Sequence, residues 1–244
     1  LALRKGAAVK VRSGKGWNVV STAVLPFDSM FSQVADPIAA PIVLQVREQI
    51  RGWRFYDSFR ADSDAPVRHP QLGTRTAALC HGGSDLAAAL RTIQEIGDAD
   101  GLRAAVGDAF PTARVCVARE PDGRFGLLFT QEGLLRPLST AELSDGTLRY
   151  LLWIAALLTP RPPSLMVLNE PETSLHPDLL PALARLIARA SERSQVWVVT
   201  HAQPLIAALA SQAGCNSIAL VKQLGQTHID GQTLLTQPHW EWPD

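Results

Sequence analysis

From residue 143 to residue 221 the sequence alternates between two hydrophobic periods, and this alternation restricts the fold more than any other feature. Gly146–Leu158 reads as a helix and Leu165–Leu168 as a buried strand. Pro177–Ala190 follows as a helix, Val196–Thr200 as a strand, Pro204–Ser211 as a helix and Ser217–Val221 as a strand. Short apolar strands separated by helices need a parallel sheet whose faces are covered. The fold class expected is therefore α/β, with a mainly parallel sheet. Pro181 falls early in its helix, where it is expected to perturb the first turns.

Upstream the pattern is more mixed. Val9–Val11 and Trp17–Val24 read as short β segments, and Pro41–Trp53 reads as a helix leading into the aromatic pair Phe55-Tyr56. Residues 61–82 are irregular, with Pro66, Pro70 and the Gly82-Gly83 pair marking turns. Residues 84–108 hold two helical segments: Ser84 is a candidate cap, and Ala87, Leu90, Ile93 and Ile96 recur at helical spacing. Arg114–Arg119 and Phe125–Thr130 flank Pro121-Asp122-Gly123, the pattern of an antiparallel hairpin. The domain division expected is residues 1–30 as β segments left from an N-terminal half, 31–110 as a mostly helical lobe, and 111–244 as the core.

Composition excludes several classes. Hydrophobic residues at 46% supply a sizeable core, and charged residues at 19% exclude a disordered chain or a long coiled coil. Lysine plus arginine equals aspartate plus glutamate at 23 each, so no chain-wide attraction to nucleic acid or to an anionic membrane is expected. Cys80, Cys116 and Cys215 form no CxxC pair, which points to reduced thiols in a cytoplasmic protein. The longest apolar run, near Leu151–Leu158, is too short to be a membrane segment.

Three segments carry candidate chemistry. Leu165–Leu168 ends in Asn169-Glu170-Pro171-Glu172, and ligands of open α/β sheets bind at the carboxyl ends of their strands. Such an end suits one oxygen-bearing side chain on a metal's hydration shell and one carboxylate orienting a water. A strand followed by a plain polar turn is the competing reading. Thr173-Ser174-Leu175-His176-Pro177 continues the segment. Leu143-Ser144-Asp145-Gly146-Thr147 precedes it at the start of a helix, and Val196–Thr200 downstream ends in His201.

In this order and spacing the three segments resemble the signature, Walker B plus D-loop, and H-loop of RecF/SMC-like ABC-type ATPases, the RecF-like, OLD-related class of AAA-type ATPases. Gly82–Leu90 (GGSDLAAAL) resembles a lobe segment of RecF-like ATPases. The resemblance covers most of the chain and is weakest over residues 1–50. It implies a P-loop NTPase core of ABC type that binds and hydrolyses ATP with Mg²⁺. Glu170 and His201 would act catalytically in cis, and Asn169 would hold Mg²⁺ through water. Ser174, Leu175 and His176 would form the D-loop. Leu143, Ser144, Asp145, Gly146 and Thr147 would contact ATP bound on a second copy, in an ATP-dependent homodimer. A helix N-terminus that favours phosphate suits that contact. Work on DNA, in repair or in genome maintenance and defence, is expected by analogy.

The chain also departs from the family. No G-x-x-x-x-G-K-[ST] string occurs, and Gly14-Lys15-Gly16 reads as a turn. The sequence is therefore expected to be the C-terminal portion of such an ATPase, and tight ATP binding is not expected of residues 1–244 alone. Asn169 stands where many members have Asp: either metal binding is weakened or another residue makes up the charge. Gln33 and Gln45 are the candidates for a Q-loop glutamine. Arg149, on the signature helix, either helps to position phosphate or pairs with a surface acid. Arg51, Arg54, Arg60 and Arg68 lie near Trp53, Phe55 and Tyr56, which suits either a DNA-backbone face or a solvated basic face. A non-catalytic dimerisation module that lends its signature edge to a partner is the alternative function. A transporter subunit fits LSDGT and SLHP poorly, and a nuclease would need a carboxylate cluster after His201 that the sequence lacks.

Overall fold

The computed structural model of the chain describes residues 1–223 and 225–232. Three strands open it as an antiparallel meander: β1 (Ala2–Lys5), β2 (Ala8–Ser13) and β3 (Gly16–Ser21). Gly14-Lys15-Gly16 makes the turn from β2 to β3. Two helices follow, α1 (Met30–Gln33) and α2 (Pro41–Gly52). Val9, Val11, Val24, Val34, Ala40 and Val43 close a small core between the meander and these helices. Proline at the first position of α2 suits a helix start, because its missing N–H would be unpaired there anyway.

The main body begins with β4 (Arg54–Tyr56) and β5 (Gln71–Leu72), then α3 (Leu86–Ile96) and α4 (Ala99–Ala109). The expected hairpin is β6 (Arg114–Arg119) and β7 (Arg124–Thr130), widened by β5 on the far side of β7 and by β8 (Leu138–Ser139). The α/β alternation then runs α5 (Asp145–Leu157), β9 (Leu165–Asn169), α6 (Leu180–Ser191), β10 (Gln195–Val199) and α7 (Gln203–Ala210). A ribbon of β11 (Leu220–Gln223) and β12 (Gln226–Ile229) follows.

The parallel sheet has the order β10-β9-β4. In β9, Met166 and Leu168 are fully buried. Above it, α5 is apolar almost all round, with Leu148, Leu151, Leu152 and Ile154 at zero exposure. A helix of that kind belongs inside a core. Each such side chain contributes about 1.5–3 kcal/mol of transfer free energy. Tyr56, Phe59 and Trp153 form an aromatic cluster beside the sheet, with Phe59 and Trp153 ring centroids 4.7 Å apart. The Tyr56 hydroxyl donates to the Leu79 carbonyl at 3.0 Å, and burial pushes its pKa up.

Phe55-Tyr56 belongs to β4, which pairs in parallel with β9. Three local expectations need correction. Ser217–Val221 does not extend the parallel sheet. The strand there starts at Leu220 and pairs antiparallel with the neighbouring β12, a local closure that costs little chain entropy. Ser84 does not cap α3: the helix starts after Asp85, whose carboxylate accepts from the Cys80 N–H at 3.0 Å. The helix read from Pro177 is split into a 3-10 turn, Pro177–Leu179, and α6, with Pro181 in the first turn of α6.

The two glycines of the Gly82-Gly83 turn are not equivalent. Gly83 has φ +73, and a Cβ there would lie 2.5 Å from Leu152 Cδ2 and 3.1 Å from Phe59 Cδ1, whereas one at Gly82 would meet nothing within 4 Å. Gly83→Ala should cost about 1–3 kcal/mol in urea unfolding, and Gly82→Ala should stay within about 0.5 kcal/mol of the parent. Equal effects at the two positions would contradict this packing.

Candidate functional site

Parallel pairing brings three strand ends to one edge. Tyr56 is registered on Leu168, so Asp57 follows beside Asn169. Val199 is registered on Asn169, so Thr200 and His201 follow beside Glu170. A cleft of about 220 Å³ opens there, lined by Asp57, Phe59, Arg149, Trp153, Asn169 and Glu170 among others. Carboxyl ends of parallel strands are the usual ligand edge of such sheets.

Glu170 sits in a strained turn, with φ +45. Its N–H donates to the Val199 carbonyl at 2.8 Å, and its carbonyl accepts from Thr173 at 3.0 Å. The carboxylate is half exposed, and its Oε1 lies 3.3 Å from His201 Nδ1. Two residues on, Glu172 is almost wholly buried. Its Oε1 accepts from the Thr200 hydroxyl at 2.6 Å, while its Oε2 has no hydrogen-bond partner among the described residues. Glu172 and Thr200 thus tie the turn after β9 to the end of β10. No motif marks Glu172, and only its burial distinguishes it.

Asn169 donates through Nδ2 to Asp57 Oδ1 at 2.7 Å. The oxygen donors at this edge are the Asp57 and Glu170 carboxylates and the Asn169 carbonyl. This all-oxygen set suits Mg²⁺, which takes one or two carboxylates and shares the rest of its shell with water and substrate phosphates. Gln33 and Gln45 do not reach the cleft. Gln33 ends α1 and donates to Asp28 at 3.1 Å, and Gln45 lies within α2.

The signature segment is fixed by its neighbours. Ser139 and Glu142 form a capping box, and Arg136 pairs with Glu142 at 2.6 Å. That guanidinium, with the Ser139 N–H and hydroxyl, holds the Glu142 carboxyl down at about 2. Leu143 is buried. Ser144 is the N-cap of α5, its Oγ accepting from the Thr147 N–H at 3.1 Å, with the Thr147 hydroxyl 2.9 Å away. Ser144 itself is exposed. A Cβ on Gly146 would lie 2.9 Å from the Ser174 carbonyl oxygen, so the helix start and the turn at Ser174 meet backbone to backbone. Arg149 strengthens this contact through Nη1, which donates to Ser174 Oγ at 2.8 Å and to the Thr173 carbonyl at 3.3 Å. It pairs with no acid among the described residues. Ser174 has φ +62, Leu175 packs partly buried against the core, and His176 caps the 3-10 turn by accepting from Asp178 N–H at 3.3 Å.

Arg68, which sequence places with Arg51, Arg54 and Arg60 on a basic face, is buried. Its guanidinium donates to the carbonyls of Ala61 and Asp62 on one side and of Thr140 and Leu143 on the other. It also reaches Asp145 Oδ1 at 2.5 Å. It clamps the segment after β4 to the signature turn. The other three arginines are committed too: Arg51 to Glu48, Arg54 to carbonyls of its own turn, and Arg60 to Asp62. Arg68→Lys cannot reproduce this fork of donors. It should cost roughly 2–4 kcal/mol, read by urea unfolding, with faster amide exchange across residues 140–147. Unchanged exchange there would show that Arg68 does not hold the signature turn.

A family model described as "AAA domain, putative AbiEii toxin, Type IV TA system" matches residues 29–208. No curated protein matches the chain. Among solved structures it is similar to the Smc head domain with a coiled coil and joint from Pyrococcus yayanosii, at 16% identity and TM-score 0.46 over 60% of this chain and 28% of that one. It is also similar to a chain from a study of ATP-driven dimerization and DNA stimulated activation of SMC ATPases, at 16% identity and TM-score 0.45 over 62% of this chain and 91% of that one. A third is the Smc head domain bound to the C-terminal domain of ScpA from Pyrococcus furiosus, at 16% identity and TM-score 0.46 over 57% of this chain and 35% of that one. The chain thus spans about a third or less of two of these three. The family match takes in well over half of the chain, including the signature turn, β9 with the turn that follows it, and His201, and the chain belongs to this AAA ATPase family.

Proposed function

We propose that the chain forms the hydrolytic and signature-bearing part of an ATP-dependent dimerising switch. The observation that carries this reading is the Glu170–His201 pair, delivered by adjacent parallel strands to the edge of a cleft at 3.3 Å. Glu170 orients and accepts a proton from the attacking water. His201 steadies that carboxylate and faces the terminal phosphate. Asn169 and Asp57 present oxygens toward the metal edge. Mg²⁺, when bound with ATP, neutralises charge on the phosphates. The chain's own residues do the positioning, and a fixed turn keeps Glu170 in place at no reorganisation cost during reaction.

The signature edge acts on the other copy. Ser144 and Gly146 sit at the exposed start of α5, where free N–H groups and the helix dipole favour a phosphate. The D-loop residues Ser174, Leu175 and His176 pack beside it, so dimer contact and hydrolytic edge share one turn. Residues 111–244 are proposed to form this core, residues 31–110 a mostly helical lobe that lends β4 to it, and residues 1–30 the β segments left from an N-terminal half. DNA is proposed as the client, in repair, genome maintenance or defence, on the strength of the RecF/SMC resemblance alone. No helix among the described residues is long and apolar enough to cross a membrane. A second reading is favoured by the lack of P-loop spacing in residues 1–244: a module that lends its signature edge to a P-loop-bearing partner.

With a P-loop segment supplied, Glu170→Gln should lower ATP turnover at least about 100-fold while nucleotide binding is kept. Turnover near that of the parent would sink the hydrolytic role. In that Glu170→Gln background with ATP, Ser144→Arg should abolish dimerisation by light scattering and leave the monomer's melting curve in place. Dimerisation as efficient as the parent's would show that the signature edge is not the contact.

A further inference from the structure

We propose that Asp57 carries the negative charge of the metal edge that Asn169 lacks, so that the two side chains together replace a single Walker B carboxylate. The inference rests on the ATPase reading above and names a residue that no motif marks. Asp57 directly follows β4 and Asn169 ends β9, and the β4–β9 register sets them side by side. The hydrogen bond between them, 2.7 Å long, has only one polarity. A carboxylate only accepts, so the asparagine presents its NH₂ group to Asp57 and keeps its carbonyl oxygen free to accept from a metal-bound water.

Charge supports the same division. Asp57 makes no ion pair among the described residues, although arginines lie close in sequence. Arg54 donates through Nη1 to carbonyls of its own turn, and Arg60 is paired with Asp62 through Nε and Nη2. Arg149 lines the same cleft but is committed to the Ser174 turn. Asp57 and Glu170 therefore face one cleft as two carboxylates, with Arg149 held to one side. That balance favours a hard divalent cation at the Asp57 end. An aspartate at position 169 would set two like charges within hydrogen-bond distance, so the neutral amide is what lets Asp57 stand there.

The probe is Mn²⁺ alone, followed by paramagnetic broadening of amide resonances in residues 1–244. The parent should show broadening centred on Asp57, Ser58, Asn169 and Glu170. Asp57→Asn keeps an acceptor for the Asn169 amide and should weaken Mn²⁺ affinity about tenfold or more. The exchange variant, Asp57→Asn with Asn169→Asp, returns the carboxylate to β9 and should restore affinity toward the parent value. No localised broadening in the parent, undiminished affinity in Asp57→Asn, or an exchange variant as weak as Asp57→Asn would each overturn the proposal. The ATPase reading fails separately: a normal Mn²⁺ result with hydrolysis undiminished in Glu170→Gln would remove the reaction and leave the cation edge.

Discussion

The pairing of β9 on both of its edges is the constraint on which the rest of the molecule depends. Its backbone is satisfied by β10 on one side and β4 on the other, and Met166 and Leu168 are fully buried in the main core. A buried strand with both ladders filled has little freedom to slip, because a one-residue shift would reverse every side chain. The two registers therefore fix where Asp57, Asn169, Glu170 and His201 stand. β4 is only three residues long and cannot persist alone, so the Asp57 end of the cleft exists because β9 holds it there.

A second set of contacts ties this edge to the signature turn. Arg68 bridges the carbonyls after β4 to those before α5, Arg149 bridges α5 to the turn after β9, and Gly146 allows the two backbones to touch. Most other ion pairs of the chain lie on the surface, where such pairs contribute little. Arg68 differs in kind. Burying its charge is costly, and only acceptors on both sides offset that cost. It joins the segment after β4 to the turn before α5, so the two sets of acceptors would have to move together.

What the sequence reveals follows from where the information lies. The helix at α5, the strands β9 and β10 and the hairpin of β6 and β7 carry their own hydrophobic period, so local reading finds them. The Ser144 cap is legible for the same reason, being a serine at the mouth of an apolar helix. β4 carries no period in three residues, and its partner lies more than a hundred residues downstream. Asp57 therefore carries no local signal, and its place beside Asn169 stays hidden until the strands are paired. Arg68 shares its local composition with Arg51, Arg54 and Arg60, and burial alone separates it from them. The hairpin of β11 and β12 breaks the expected alternation because a nearby partner competes with a distant sheet.

The strain in the turn after β9 bears on what that turn is for. Glu170 and Ser174 both hold left-handed φ values, which non-glycine residues adopt at a cost of order 1–3 kcal/mol each. Glycine at either place would relieve the backbone, and nothing in the fold requires a side chain there for packing, since both residues are exposed. The strain is held by contacts around the turn: the Val199 carbonyl on Glu170, Arg149 on Ser174, and Thr200 on the buried Glu172. A glycine would take away a carboxylate beside His201 and a hydroxyl beside Arg149. The two left-handed residues thus place a carboxylate beside His201 and a hydroxyl against Arg149 of the helix α5, contacts that glycine could not make.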